Sequence, residues 1–229
     1  MPIDKRSLLQ SEKGSRYGFV LAGLISVLIA YQLFVDFYIG RLLLHLWLFI
    51  TMTQLIVSLS VDRISRIVSL CLGSIPLLLT IVSFASNLFN FEALLFFKLM
   101  LPLSALFFFF CTWLIICSIF KESHVTIDMI YGSILAYLLI GISWAVIFCC
   151  IEFCVPDSFS FGSEIKLTER ASALFYFSFV TLTTLGYGDV LPVTGFSRTI
   201  TYLESIIGVM YPAILVATLV SNFRISQKD

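Results

Sequence analysis

Charge is scarce in this sequence: only 12% of its 229 residues are Asp, Glu, Lys or Arg, with 14 basic residues balancing 14 acidic ones, and there are two histidines. A formal net charge of zero removes the bulk attraction by which basic proteins hold nucleic acid, so no nucleic-acid partner is expected. Long polar stretches are scarce as well. The breaks Gly40-Arg41, Asp62 to Arg66, Asn87 to Glu92 and Lys121 to His124 are too short to hold a soluble domain. Metal-ligand spacing is absent among the six cysteines: Cys71, Cys111, Cys117, Cys149, Cys150 and Cys154 fall almost wholly inside apolar runs. They read as small hydrophobes, with Cys154 alone near an outer surface. What remains is apolar, with 59% hydrophobic residues, 23 phenylalanines and a mean hydropathy of +1.03. That composition is foreign to a water-soluble domain and fits a chain that crosses a bilayer several times.

An apolar run of roughly 20 residues can cross a bilayer as a helix, and six such runs are expected at 17–38, 42–61, 67–86, 93–120, 125–153 and 198–222. The polar start, 1–16, leads into a run too long for a signal-peptide core and without a small-residue cleavage site, so the first helix is expected to persist. Placing the N-terminus in the cytoplasm puts Lys5, Arg6, Lys13, Arg16, Arg63, Arg66, Lys121, Arg224 and Lys228 inside, against Arg41, Lys166, Arg170 and Arg198 outside. The excess of basic residues on one side predicts that both termini are cytoplasmic.

Between the fifth and sixth spans the texture changes. A polar stretch, VPDSFSFGSEIKLTER, precedes an apolar segment from Ala171 to Leu182 that ends in TLTTLGYGD, Thr181 to Asp189. A helix of that length rises roughly 18 Å against a hydrocarbon core of roughly 30 Å, so it can enter the membrane but not cross it. Irregular backbone at membrane depth is tolerated where it is buried in protein or lines a water-filled path. The motif is therefore expected to face an aqueous or ionic pathway. Gly186 and Gly188 are spaced to reach backbone angles that turn successive carbonyls the same way, and Thr184 adds a hydroxyl to its carbonyl.

Thr184-Leu185-Gly186-Tyr187-Gly188 differs in one position from TVGYG, the filter of potassium channels, and the chain is identified as resembling that family. TLTTLGYGD is similar to the TMTTVGYGD of voltage-gated members. Asp189, Pro192, Val193, Thr194 and Arg198 follow the D-x-x-P-V-T-x-x-x-R run of bacterial ones. Tyr176-Phe177 stands where the family has Trp-Trp, Gly208 stands at its inner-helix hinge glycine, and Ser221-Asn222-Phe223 matches the end of that helix in voltage-gated members. LESIIGVMYPAILVATLVSNF resembles the inner helices of small bacterial channels.

The resemblance implies an all-α membrane protein with six transmembrane helices, a re-entrant pore helix and a homotetrameric pore that passes K+ passively. It divides the chain into a cytoplasmic N-terminus 1–16, a four-helix sensor-like bundle 17–120, a pore domain 125–222 and a tail 223–229. The pore domain would comprise an outer helix 125–153, a turret 154–169, a pore helix at about 170–182, a filter 184–188 and an inner helix 198–222. K+ would be held at Thr184, Leu185, Gly186 and Tyr187, with no other cofactor. Thr183, Asp189, Tyr176 and Phe177 would support the filter, and the leucine and tyrosine side chains would point away from the axis. The implied location is a multi-pass cell-membrane protein, in a bacterial inner membrane by the small-channel resemblance.

Two departures bear on function. Leu185 lacks the β-branch of valine, which leaves a leaky, weakly selective pore as an alternative, and Phe177 lacks the indole N–H that could tie the pore helix to the filter. Tyr176 can still donate and Asp189 can still accept. The fourth span carries one basic residue, Lys98, with a helix-kinking Pro102. Four copies of Lys98 crossing the whole field would supply at most roughly 9 kcal/mol per 100 mV, so strong voltage gating is not expected. Snorkelling, or pairing with Glu92, is the plainer role for Lys98. His45, beside Trp47, reads as a packing residue and His124 as solvated. The seven residues after Asn222 are too few for an appended regulatory domain.

Gating candidates are Glu204, Gly208 and Pro212. Gly208 and Pro212 would bend the inner helix, or Gly208 would permit close packing. Glu204, an ionisable group inside a span, would hydrogen-bond the back of the filter, or make opening pH-sensitive, or pair near the outer interface with an arginine such as Arg198 of its own or a neighbouring chain. Two other classes stay open. One is a non-conducting channel-like subunit. The other is an intramembrane aspartyl protease, since Gly186-Tyr187-Gly188-Asp189 fits G-x-G-D, although Asp36 and Asp128 are poor partners for Asp189.

Overall fold

The computed structural model describes residues 16–34, 38–58, 63–88, 94–121, 126–162 and 167–226. Asp36, Glu92, His124 and Lys166 lie outside the described residues, as do the side chains of Arg41, His45 and Lys98. The helices among the described residues are α1 (Arg16–Phe34), α2 (Tyr38–Ser58), α3 (Arg63–Leu88), α4 (Leu94–Lys121), α5 (Ile127–Cys154), α6 (Leu167–Leu182) and α7 (Gly195–Ser226). Two short strands, β1 (Phe159–Ser160) and β2 (Leu191–Pro192), complete the description. The chain is mostly helical, and among the described residues three helical stretches are long and apolar enough to cross a membrane: Leu101–Ile119, Ile127–Cys154 and Gly195–Thr218. Shorter apolar stretches occupy Tyr17–Tyr31 and Leu46–Ile56.

Helix ends follow local chemistry. Thr126 caps α5, its hydroxyl oxygen accepting the Met129 N–H at 3.1 Å. The helix expected from residue 198 begins three residues earlier, at Gly195, because Thr194 and Ser197 cap it reciprocally. The Ser197 N–H donates to the Thr194 hydroxyl and the Thr194 N–H to the Ser197 hydroxyl, each at 3.1 Å, a serine version of the capping box. α6 likewise starts earlier than expected, at Leu167, with Glu169 favourably placed in its positive first turn.

α5 is the organising element. α1 and α4 pack on one part of it, α6 and α7 on another, and α2 and α3 close a ring from α1 to α4. One core joins Val20 and Leu24 of α1, Met52 of α2, Phe107 and Ile115 of α4, and Leu135 and Leu139 of α5. A second joins Phe148 of α5 to Phe159 of β1, Leu174 and Phe177 of α6, and Val190. The first helix is held directly to α4, α5 and α6 of the same chain. The Tyr17 N–H donates to Asp128 Oδ1 at 3.0 Å, its hydroxyl donates to Ser118 at 2.9 Å, and the Tyr31 ring stacks on Phe175 of α6 at 5.0 Å. These contacts of α1, on which hydropathy is silent, are formed within the single chain.

Candidate functional site

α6 ends in a Schellman motif. The Leu185 N–H donates to the Val180 carbonyl at 2.9 Å and the Thr184 N–H to the Thr181 carbonyl at 3.0 Å, which places Thr184 at the left-handed position of that cap. Its φ is 60°, a conformation that costs a residue with a β-carbon about 1–2 kcal/mol. Gly186 and Gly188 follow with φ of 57° and 80°, so left-handed backbone recurs at every second residue from Thr184 to Gly188. The glycine angles follow from the sequence; the one at Thr184 does not. Among the described residues, none of the carbonyls from Thr184 to Gly188 accepts a hydrogen bond. Residues Thr183 to Asp189 are all exposed in the single chain. These exposed carbonyls are strong acceptors with no protein partner among the described residues, and so are open to water or to an ion.

The segment is anchored from both ends. At its start, the Leu182 carbonyl accepts the Tyr137 hydroxyl at 3.2 Å, and Tyr137 stacks on Tyr211, whose hydroxyl donates to the Ser133 carbonyl at 2.9 Å. Gly208 is buried against the same peptide: a β-carbon there would lie well inside contact with the Leu182 carbonyl oxygen, 2.9 Å from its carbon and 3.1 Å from its Cα. Of the two roles weighed for Gly208, close packing is the one with a contact behind it; α7 runs as one helix through Gly208 and Pro212. At the far end, β2 pairs antiparallel with β1, Phe159 opposite Pro192 and Ser160 opposite Leu191. The Val193 N–H and the Ser197 hydroxyl both donate to the Ser158 carbonyl at 2.9 Å.

The expected supporting residues separate. The Tyr176 hydroxyl lies against the Asp189 carboxylate, and Asp189 Oδ1 also accepts the Val190 N–H at 3.1 Å. Thr183 turns its hydroxyl back onto the Phe179 carbonyl at 2.7 Å. Phe177 makes its ring contacts in an aromatic triangle with Phe148 at 5.2 Å and Phe159 at 5.6 Å, within the buried cluster that also holds Leu182 and Val190 at the two ends of the segment. Leu185 and Tyr187 are 55% and 67% exposed in the single chain. Glu204 is fully buried and lies against Ser178 of α6 at 2.5 Å, while Arg198 of the same chain donates its Nε–H to the Pro192 carbonyl instead. Asp128 and Asp189 are at opposite ends of α5, about 40 Å apart along a helix of 28 residues, too far to share a water. The six cysteines are free, and the described residues hold no group of three metal-ligating side chains.

Sequence reasoning missed Glu152 and the role of Arg170. Glu152, 2% exposed at the end of α5, accepts Arg170 Nη1 at 2.6 Å, the Asp157 N–H at 3.3 Å and the Phe159 N–H at 3.1 Å. Arg170 also stands over the Phe161 ring at 5.4 Å. One carboxylate thus joins the end of α5, the loop into β1 and the first turn of α6. The signal was present as an acidic residue within CCIEFC, an ionisable group at membrane depth. Arg170→Ala leaves that charge buried and uncompensated, and is expected to lower thermal stability in detergent by about 3 kcal/mol. Arg170→Ala combined with Glu152→Gln, which removes the buried charge and keeps an acceptor for the Asp157 and Phe159 N–H groups, should recover part of the loss in the same melting experiment.

Residues 134–224 match the family model described as ion channel. The chain is similar to the A-type voltage-gated potassium channel KCND3 of Rattus norvegicus and of Homo sapiens, with 35% identity over 93 residues, 40% of this chain and 14% of each relative. It is also similar to the potassium voltage-gated channel protein shk-1 of Caenorhabditis elegans, with 40% identity over 52 residues, 23% of this chain and 10% of that protein. The chain therefore matches about a seventh of the length of KCND3. No solved structure matches it.

Proposed function

We propose, from the match of residues 134–224 to an ion-channel family model and their similarity to voltage-gated potassium channels, that the chain is one subunit of a homotetramer that conducts K+ passively and selectively across a membrane. The observation that carries the reading is the row of unpaired carbonyls from Thr184 to Gly188 with left-handed backbone at every second residue. Four such rows around one axis replace the hydration shell of an ion with oxygen ligands at Thr184, Leu185, Gly186 and Tyr187.

The exposure of α7 supports the tetramer. Only 11% of its apolar window is buried in the single chain, against 67% for α5. Tyr202, Leu203, Ile206, Ile207 and Met210 are open on α7, as are Leu185 and Tyr187. In the assembly, neighbouring subunits and the ion path cover these surfaces. The shorter apolar stretches in α1 and α2, with α3 beside them, complete six spans around the pore domain 125–222, with both termini cytoplasmic and a bacterial inner membrane as the setting. α4 with its single Lys98 gives little voltage dependence.

Purified protein in liposomes loaded with potassium is expected to release it in a protein-dependent manner, with a native mass of four chains in detergent. A well-folded tetramer that releases none would place the chain among non-conducting subunits.

A further inference from the structure

Behind the pore-helix segment three helices meet at a row of polar atoms sealed from solvent. Glu204 of α7 and Ser178 of α6 are both fully buried. Glu204 Oε1 lies 2.5 Å from Ser178 Oγ, which lies 2.7 Å from the Gly141 carbonyl oxygen of α5. Both separations are hydrogen-bond distances between oxygens. A carbonyl can only accept, and a serine hydroxyl carries a single proton. If Ser178 gives its proton to Gly141, the second bond needs another proton, and Glu204 is the only other group in the row that can bring one. An ionised carboxylate would force Ser178 to choose, leaving two oxygens facing each other with no hydrogen between them.

The surroundings favour the neutral acid. Glu204 Oε2 is buried with no hydrogen-bond partner among the described residues, a costly place for half of a carboxylate charge. The groups facing Glu204 are Ser178 from α6 and, from α5, the Gly141 carbonyl and Tyr137, whose hydroxyl is directed to the Leu182 carbonyl. The Tyr211 hydroxyl of its own helix is directed to Ser133. The nearest basic residues by position are engaged elsewhere, Arg170 with Glu152 and Arg198 with Pro192.

We propose that Glu204 is a protonated positioning residue: its carboxyl donates to Ser178, Ser178 donates to Gly141, and this relay fixes α6 between α5 and α7 so that the carbonyl row holds its shape. The inference rests on the channel reading above. When the proton leaves, Ser178 turns to the carboxylate, its bond to α5 is lost, and an uncompensated charge remains one turn from Gly208 and Leu182. Conduction therefore falls as pH rises.

Infrared difference spectra of the liposome-embedded protein across a neutral-to-alkaline step test the proton directly. The wild type is expected to show the carbonyl stretch of a protonated carboxylic acid at neutral pH, lost on the alkaline side and missing in Glu204→Gln. Potassium flux should fall with rising pH in the wild type and become independent of pH in Glu204→Gln, whose amide still donates to Ser178. Should that variant fail to fold, Ser178→Ala serves: the acid band moves to higher frequency as the carboxyl loses its acceptor, and neutral-pH flux drops. A band that persists in Glu204→Gln, or is missing from the wild type, overturns the proton. A wild-type flux with no pH dependence overturns the positioning role. Flux missing in every variant overturns the channel reading and the positioning role together, while the band still reports whether the proton is there.

Discussion

Gly208→Ala is expected to abolish potassium flux and to destabilise the protein, whereas Pro212→Ala, four residues further along an exposed stretch of the same helix, is expected to leave folding intact. A β-carbon at Gly208 meets the Leu182 peptide: its carbonyl carbon would be 2.9 Å away and its Cα 3.1 Å, with the oxygen closer still. Overpacking a well-filled site costs about 1–3 kcal/mol when side chains can rotate away. Here the obstacle is backbone, and that backbone is the last turn of α6, held from the other side by Tyr137. Either α7 moves off α6 or Leu182 moves toward the carbonyl row. If Gly208 served only as a flexible point in α7, alanine would stiffen the helix and change opening without lowering the melting temperature. Thermal unfolding in detergent, read beside flux, separates the two.

Gly186→Ala and Gly188→Ala are expected to produce the opposite combination: a folded, assembled protein that no longer passes potassium selectively. A β-carbon at either position meets nothing within 4 Å in the chain, so one subunit has room for it. What forbids alanine is the backbone, with φ of 57° and 80°. Left-handed geometry costs a residue with a β-carbon about 1–2 kcal/mol, so four subunits acting on one ion path lose roughly 4–8 kcal/mol, enough to turn carbonyls out of the row. The remainder of the fold, which rests on the two cores around α5, is untouched. Size-exclusion behaviour and melting should match the wild type while the preference for potassium over sodium disappears. A variant that keeps full selectivity would show that the alternation of left-handed residues is not what orders the ligands.

These two experiments divide the glycines into one that is needed for space and two that are needed for angle, and only the second class was legible in the sequence. The motif from Thr181 to Asp189 could be read because glycine spacing states a backbone requirement directly. The ends of helices α4 and α5 lie within two residues of the apolar runs read at 93–120 and 125–153, because a long unbroken apolar run leaves helix as its only way through lipid. Contacts between helices could not. When every face of a helix is apolar, the pattern no longer says which face meets protein and which meets lipid. For that reason the stacking of Tyr31 on Phe175, the Tyr137 to Leu182 bond and the approach of Gly208 to α6 came only with the structure. Glu204 stood out as an ionisable residue, but its partner did not: Ser178 is a single serine inside FYFSFV, and the Gly141 carbonyl has no side-chain signature. The early start of α7 was legible in principle, since Thr194 and Ser197 stand at capping-box spacing without the usual Glu or Gln.

Selective conduction through the carbonyls of Thr184 to Gly188 is the central claim, and the reversal potential of the purified protein in a planar bilayer tests it most directly. With potassium on one side and an equal concentration of sodium on the other, the current should reverse far from zero, in the direction that reports potassium as the favoured ion. A current that reverses at zero under those conditions would contradict the account.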